Sequence, residues 1–189
     1  MASRAFAPYY RYVHWRRLST TFGVASLAWA ALIAGCNRGD HPAQVGKAAP
    51  DFTVSDGTNT VHLASYRGKT VLLNFWWSQC GPCIQETPGL EALHHDRPDI
   101  EIVGVSIDTD ADSYRDFLRR YHVDVTTVRD PDQTAAKLFH TEAWPETYVI
   151  DKDGIIRRKI VGDPDWFNPE IRTYLRSLAP STSQGSQGL

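Results

Sequence analysis

The 189-residue chain has few cysteines, no excess of basic residues and no repeated segment. The first two features each exclude a class of protein. Three cysteines are too few for a small fold that disulfides hold together. Residues 1–35 hold four of the 20 Lys and Arg residues and no acid, so 16 basic residues face 22 acidic ones in the rest. This balance argues against a nucleic-acid binder that depends on a basic surface.

One long apolar run is present, and it lies near the N-terminus. Arg16 and Arg17 precede the uncharged residues 18–34, an order that is typical of an export signal. The run leads into Ile33-Ala34-Gly35-Cys36, which resembles the bacterial lipobox, where cleavage before the cysteine accompanies its lipidation. We therefore predict a lipid-modified Cys36 on the periplasmic side of a bacterial membrane. An uncleaved signal anchor and a plain secretory signal are the alternatives.

The remainder divides into a tether, one domain and a tail. Residues 36–46 are polar and rich in turn formers, which predicts a tether after the signal peptide of residues 1–35. Residues 180–189 are dominated by Ser, Gln and Gly, a composition typical of a disordered tail. Residues 47–179 are long enough to bury the core of a single domain.

Strand-like and helix-like patterns alternate through this domain. Residues 70–77 and 101–107 are continuous apolar runs of buried-strand length, and helical patterns follow each of them. The expected strands are 52–54, 60–63, 70–77, 101–107, 126–129, 147–150 and 155–161, and the expected helices are 81–95, 110–121, 131–139 and 169–178. This order predicts an α/β fold in which a central mixed β-sheet has helices on both faces.

A C-x-x-C motif, Cys80-Gly81-Pro82-Cys83, lies where a predicted buried strand meets a predicted helix. That context is typical of a redox dithiol. The free N–H groups at a helix N-terminus favour a thiolate, so we expect Cys80 to have a lowered pKa, to be exposed and to act as the nucleophile. Cys83, close enough to close a disulfide, is then the resolving thiol.

Other uses of the two cysteines are less well supported. A disulfide around two residues removes little entropy from the unfolded chain, which argues against a purely structural bridge. Zinc needs four ligands, and His94 and His95 lie about 15 Å further along the same predicted helix. Two unrelated buried cysteines remain an alternative. No metal or cofactor is expected.

Three blocks of sequence resemble the TlpA/ResA-like thiol-disulfide oxidoreductases of the thioredoxin superfamily. The blocks are residues 49–52, residues 71–88 around the dithiol and residues 144–154, and the similarity spans about 45–178. The resemblance implies a thioredoxin-like fold and thiol-disulfide exchange. Gln79 departs from the family, which usually has Trp before the first cysteine, and we expect this change to alter access to Cys80 or its acidity but not the dithiol itself.

The resemblance also implies roles for residues outside the C-x-x-C motif. Pro145 corresponds to a cis-proline that packs against the disulfide, and Trp144 flanks the substrate cleft. Gly81 and Pro82 of the motif itself are also assigned to this cleft, as is Trp77, for which packing in the core is the alternative.

Glu86, three residues after Cys83, matches an acid that accepts a proton from the second cysteine in some relatives. A solvated helix glutamate is the equal alternative. Asn74 stands where cytoplasmic thioredoxins carry a buried Asp, so that base is missing here.

Protein dithiols and disulfides are the expected substrates, and the C-x-x-C-H segment of apocytochrome c is one candidate. A reductase outside the cytoplasm needs electrons from a membrane protein, so a CcdA/DsbD-type donor is implied. A peroxiredoxin is disfavoured because Trp77-Ser78-Gln79-Cys80 does not place a Thr or Ser and a Pro at the positions that activate a peroxidatic thiolate. A Cu(I)-binding module is the other alternative. Such modules usually have three residues between their cysteines and a paired His, whereas two residues separate Cys80 from Cys83.

Overall fold

The computed structural model describes residues 44–178, and its elements follow the predicted order. The strands are β1 Thr53–Ser55, β2 Thr60–His62, β3 Thr70–Trp76, β4 Ile100–Ser106, β5 Thr126–Arg129, β6 Glu146–Ile150 and β7 Ile156–Val161. The helices are α1 Gly81–Asp96, α2 Ala111–Tyr121, α3 Thr134–Leu138 and α4 Pro169–Leu178, with a single 3-10 turn at Leu63–Tyr66. The predicted signal peptide, Cys36, the first part of the tether and the tail lie outside the described residues.

Five strands form one mixed sheet in the order β5-β4-β3-β6-β7. β3 pairs in parallel with β4 and antiparallel with β6, while β4–β5 is parallel and β6–β7 antiparallel. Every residue of β3 is buried, as expected for a continuous apolar run in the centre of a sheet. The prediction of a central mixed sheet is confirmed.

Side chains of β3 alternate between two apolar cores. Leu73 and Phe75 pack with β1, β2 and α3 on one face of the sheet. Leu72 packs with α1 and α4 on the other face, and Trp76, on that same face, packs with α2. Helices therefore cover both faces, as predicted, and the face that carries α1 also carries Asn74. None of the helices within residues 44–178 is both long and apolar enough to cross a membrane.

Most element boundaries lie within one residue of the prediction, and two boundaries differ by more. α3 begins at Thr134 rather than Pro131, because Gln133 has a left-handed backbone with φ 56° and the Asp130 carboxylate accepts the Ala135 N–H at 2.8 Å. The predicted tether also ends earlier than residue 46. The Gly46 N–H donates to the Ile156 carbonyl at 2.7 Å, and Val45 packs against the core.

Candidate active site

The two cysteines form a disulfide at the N-terminus of α1. Cys80 follows β3 after a short loop of residues 77–79 and is the N-cap of the helix, with Pro82 in the first turn, where a missing N–H costs little. The Cys80 and Cys83 Cα atoms are 5.2 Å apart, and the Cys83 N–H lies 3.1 Å from the Cys80 sulfur. An N–H group that points at Cys80 Sγ stabilises negative charge on that sulfur once the disulfide is reduced.

Cys80 is less exposed than the sequence suggested. In this oxidised state its exposed fraction is 6%, compared with 2% for Cys83, so the expectation of an exposed nucleophile is not met. The Trp144 carbonyl oxygen lies 3.6 Å from Cys80 Sγ and covers one side of it. Gly81 and Pro82, between the cysteines, are exposed and form the surface over the disulfide.

The Trp144–Pro145 peptide bond is cis, as the family resemblance implies. Pro145 is buried directly before β6, and Trp144 is half-buried against the cluster that contains both cysteines. The two sequence blocks that contain Cys80 and Trp144 are thus in contact at the Cys80 sulfur. Whether this segment binds substrate stays a prediction.

Aromatic side chains pack in the same apolar cluster as the two cysteines. Trp76 packs on Phe117 with ring centroids 4.5 Å apart, and half-buried Trp77 packs against the same cluster. Beside it lies a cavity of about 220 Å³ between the start of α1 and α2. Gln79 and Ile84 line this cavity, so it opens next to the dithiol.

Asp108 anchors the loop before Cys80. Its carboxylate accepts the Ser78 N–H at 3.0 Å and the Ser78 hydroxyl at 2.6 Å. It also accepts the Ser106 hydroxyl at 2.6 Å, and its exposed fraction is 5%. The end of β4 thereby fixes the approach of the chain to Cys80. A short polar residue after a buried strand was the only sequence signal for this anchor.

Glu146 was also missed, and it holds the chain before the cis-proline. It is buried, forms an ion pair with Lys159 at 2.8 Å and faces the N–H groups of Glu142 and Ala143 at 3.4 and 3.3 Å. Burial of a charged carboxylate is unfavourable unless it is ion-paired and hydrogen-bonded, and Glu146 meets this requirement. The pairing partner comes from β7, so no local pattern pointed to it.

Glu86 is buried, which overturns the alternative of a solvated helix residue. Its exposed fraction is 1%, and its Oε2 accepts a hydrogen bond from the Asn74 amide at 2.9 Å. The same amide donates to the Thr147 hydroxyl at 2.9 Å. Burial raises the pKa of Glu86 to about 8, against the lowering effect of the Asn74 hydrogen bond. That value lies close to the ordinary thiol pKa of about 8.5, which suits proton exchange with a cysteine.

Glu91, His95 and Asp124 form the one group within residues 44–178 whose ligand atoms, within 4.8 Å of one another, could together hold a metal ion. Both Glu91 oxygens already face backbone N–H groups, of Asp124 at 3.1 Å and Val125 at 3.3 Å. The cluster is therefore explained as an attachment of the loop after α2 to α1.

Comparison with known proteins agrees with this geometry. The model of the AhpC/TSA family matches residues 45–159. The chain is 32% identical over 139 residues to thiol-disulfide oxidoreductase ResA of Geobacillus thermodenitrificans (strain NG80-2), covering 72% of this chain and 79% of that protein.

Two solved structures have the same architecture. A thiol:disulfide interchange protein, DsbE, from Chlorobium tepidum superposes with a TM-score of 0.66 at 26% identity, covering 71% of this chain and 96% of that one. A thiol-disulfide oxidoreductase from Bacteroides vulgatus has a TM-score of 0.59 at 30% identity, with 71% and 96% coverage. The resemblance drawn from the sequence is confirmed. With a disulfide-forming cysteine pair at the position that this chemistry requires, the chain belongs to the AhpC/TSA family of the thioredoxin superfamily and is a ResA-like thiol-disulfide oxidoreductase.

Proposed function

We propose that the protein is a membrane-tethered reductase that reduces disulfides of exported proteins outside the cytoplasm. The observation that supports this most directly is the Cys80–Cys83 disulfide at the start of α1, with a buried carboxylate, Glu86, on the same helix. The Gly-Pro pair between the cysteines is that of reducing thioredoxins, whose potential is about −270 mV, compared with about −120 mV for a strong periplasmic oxidant. Reduction is therefore the favoured direction.

The reaction proceeds by two successive sulfur exchanges. The Cys80 thiolate attacks one sulfur of the substrate disulfide, forming a mixed disulfide and releasing the other substrate sulfur as a thiolate. The Cys83 thiol then transfers its proton to the Glu86 carboxylate and attacks the Cys80 sulfur. The Cys80–Cys83 disulfide forms, the second substrate thiolate leaves, and two electrons have passed to the substrate.

Substrate binds along the segment that precedes β6. A peptide in extended conformation pairs with the backbone at Trp144, beside the cis Pro145, in the manner of an added strand. Trp77 and the exposed Gly81 and Pro82 complete the cleft. This arrangement brings a substrate disulfide toward Cys80, the more exposed of the two sulfurs.

A CcdA/DsbD-type membrane protein is the proposed electron donor, because the oxidised dithiol must be recharged outside the cytoplasm. Apocytochrome c, with its C-x-x-C-H segment, is the candidate substrate for such a tethered reductase.

Two serine variants of the full-length protein test the assignment. Cys83→Ser should accumulate mixed disulfides through Cys80 that thiol reagents release, whereas Cys80→Ser should capture nothing. Mass spectrometry of the captured proteins then separates apocytochromes from a broad set of clients. Equal capture by both variants, or capture by Cys80→Ser alone, contradicts the proposed roles.

Membrane tethering is tested separately at Cys36, which lies outside the described residues. Mass spectrometry of the membrane fraction should find a mature chain that begins at an acylated Cys36, and Cys36→Ser should leave the precursor unprocessed. An unmodified Cys36 or a retained Met1 refutes the lipid anchor without affecting the redox proposal.

A further inference from the structure

The Glu86 carboxyl group has one satisfied oxygen and one unsatisfied oxygen. Oε2 accepts the Asn74 hydrogen bond, but Oε1 is buried and has no hydrogen-bond partner in the described part of the chain. The indole Nε1 of Trp166 is likewise buried without a partner within residues 44–178. Unpaired buried polar atoms are uncommon, so two of them call for a physical explanation.

Trp166 lies against α1 close to Glu86. It is 1% exposed and comes from the loop between β7 and α4. A Cβ atom added to Gly89 would lie 3.1 Å from Trp166 Cδ1, the ring atom bonded to Nε1. Gly89 is three residues after Glu86 and therefore on the same face of the helix. Glycine is disfavoured inside a helix relative to alanine, and here the space that the indole occupies explains its presence.

We propose that Trp166 is a positioning residue for the proton step, whose indole N–H donates to Glu86 Oε1 when the carboxylate is ionised. This rests on the proposed role of Glu86 as proton acceptor. The neutral acid needs no second donor, which is consistent with both atoms being unpaired in the oxidised state. When Cys83 gives its proton to Glu86 this contact is released, and when Glu86 ionises again it forms.

The same loop also carries an opposing charge. Asp163 is exposed, and its negative charge raises the pKa of Glu86, whereas a hydrogen bond from the Trp166 indole would lower it. From the other elements packed on Glu86, β3 contributes the neutral Asn74 amide and α1 contributes Cys83. The charge of Asp163 therefore opposes ionisation of Glu86, and a hydrogen bond from the Trp166 indole N–H favours it.

Trp166→Phe tests the proposal because it keeps a buried ring but removes the N–H. In the full-length oxidised protein, carboxyl NMR should place the Glu86 pKa about one unit or more higher. The pH profile for resolution of a mixed disulfide with a model peptide should shift upward equally, giving about a tenfold loss at pH 7 and little loss at high pH. Tyr174→Phe is the control, because it removes a buried polar group, a hydroxyl, from the same core. It should change neither the Glu86 pKa nor the pH profile.

The unmodified protein provides a second test that does not depend on a variant's folding. The indole N–H resonance of Trp166 should titrate with Glu86, and Glu86→Gln should abolish that titration. A folded Trp166→Phe variant with an unchanged Glu86 pKa, or a Trp166 resonance that does not respond to pH, overturns the inference. If instead both respond but Glu86→Gln leaves resolution rates unchanged, the contact is real and the proton role of Glu86 is wrong.

Discussion

The two sides of the dithiol differ in how they are built. We call the solvent side the front surface, which consists of Gln79, Gly81, Pro82 and Trp144, and the inner side the rear pocket, which consists of Asn74, Glu86, Thr147 and Trp166. The front surface is exposed apart from the half-buried Trp144, whereas Asn74, Glu86, Thr147 and Trp166 of the rear pocket are all buried. In the proposed mechanism, substrate recognition depends on the shape of the front surface, and proton transfer depends on the burial of Glu86.

This contrast has a cost in stability. Burying a carboxyl group without full hydrogen bonding is unfavourable, so the rear pocket destabilises the fold in exchange for a raised Glu86 pKa. The front surface carries no comparable penalty, because its polar groups reach solvent. Replacing Glu86 in the rear pocket should therefore raise stability while it slows the reaction. A substitution on the front surface should change the reaction rate without that gain in stability.

The largest expected effect is on the pH dependence of stability. Glu86 has a pKa of about 8 in the fold and an ordinary value of 4.5, so between these values the unfolded chain loses a proton that the fold retains. The free energy of unfolding should then fall with rising pH across that window, by on the order of 5 kcal/mol in total. Urea unfolding of the parent and of Glu86→Gln should reveal this as a growing advantage of the variant.

Comparison with Glu86→Gln removes the contributions of other carboxylates, which the two proteins share. The lowered pKa of Asp151, for example, contributes stability that is lost at acid pH in both. A difference between parent and variant that is constant from pH 4.5 to pH 8 would show that Glu86 titrates normally.

Loss of the Asp108 anchor should be the next largest effect. Asp108→Ala leaves the Ser78 N–H and two hydroxyl groups without their acceptor, which should destabilise the oxidised protein by about 3 kcal/mol. Asp110→Ala is the matched control, since it removes an exposed helix cap and should cost clearly less stability than Asp108→Ala. Chemical denaturation measures both, and equal losses would reduce Asp108 to an ordinary cap.

The smallest effect is expected on the front surface. Gln79→Trp should fill part of the cavity of about 220 Å³ beside the dithiol and slow reduction of a protein disulfide about fivefold, equivalent to roughly 1 kcal/mol. Reduction of a small-molecule disulfide should change little. Gln85→Trp, at an exposed position on α1, is the control, and equal slowing of both substrates would contradict a role for the cavity in access.

The same contrast explains what could be predicted from sequence. The element order, the dithiol and the front surface follow from periodicity, from adjacent residues and from two recognisable blocks. The partners of Asn74 are 12 and 73 positions away, and Ser78 is 30 positions from Asp108. Such contacts exist only once the sheet has formed, so no local pattern distinguished a buried Glu86 from a solvated one.

Single-turnover kinetics of Glu86→Gln test the division between the two sides most directly. Stopped-flow measurement with a fluorescent peptide disulfide separates attack by Cys80 from resolution by Cys83. We expect unchanged attack, resolution slower by about 100-fold at pH 7, and a parent resolution rate that rises with pH toward the Glu86 pKa of about 8. Slowing of both phases alike, or of neither, would contradict a rear pocket that serves proton transfer.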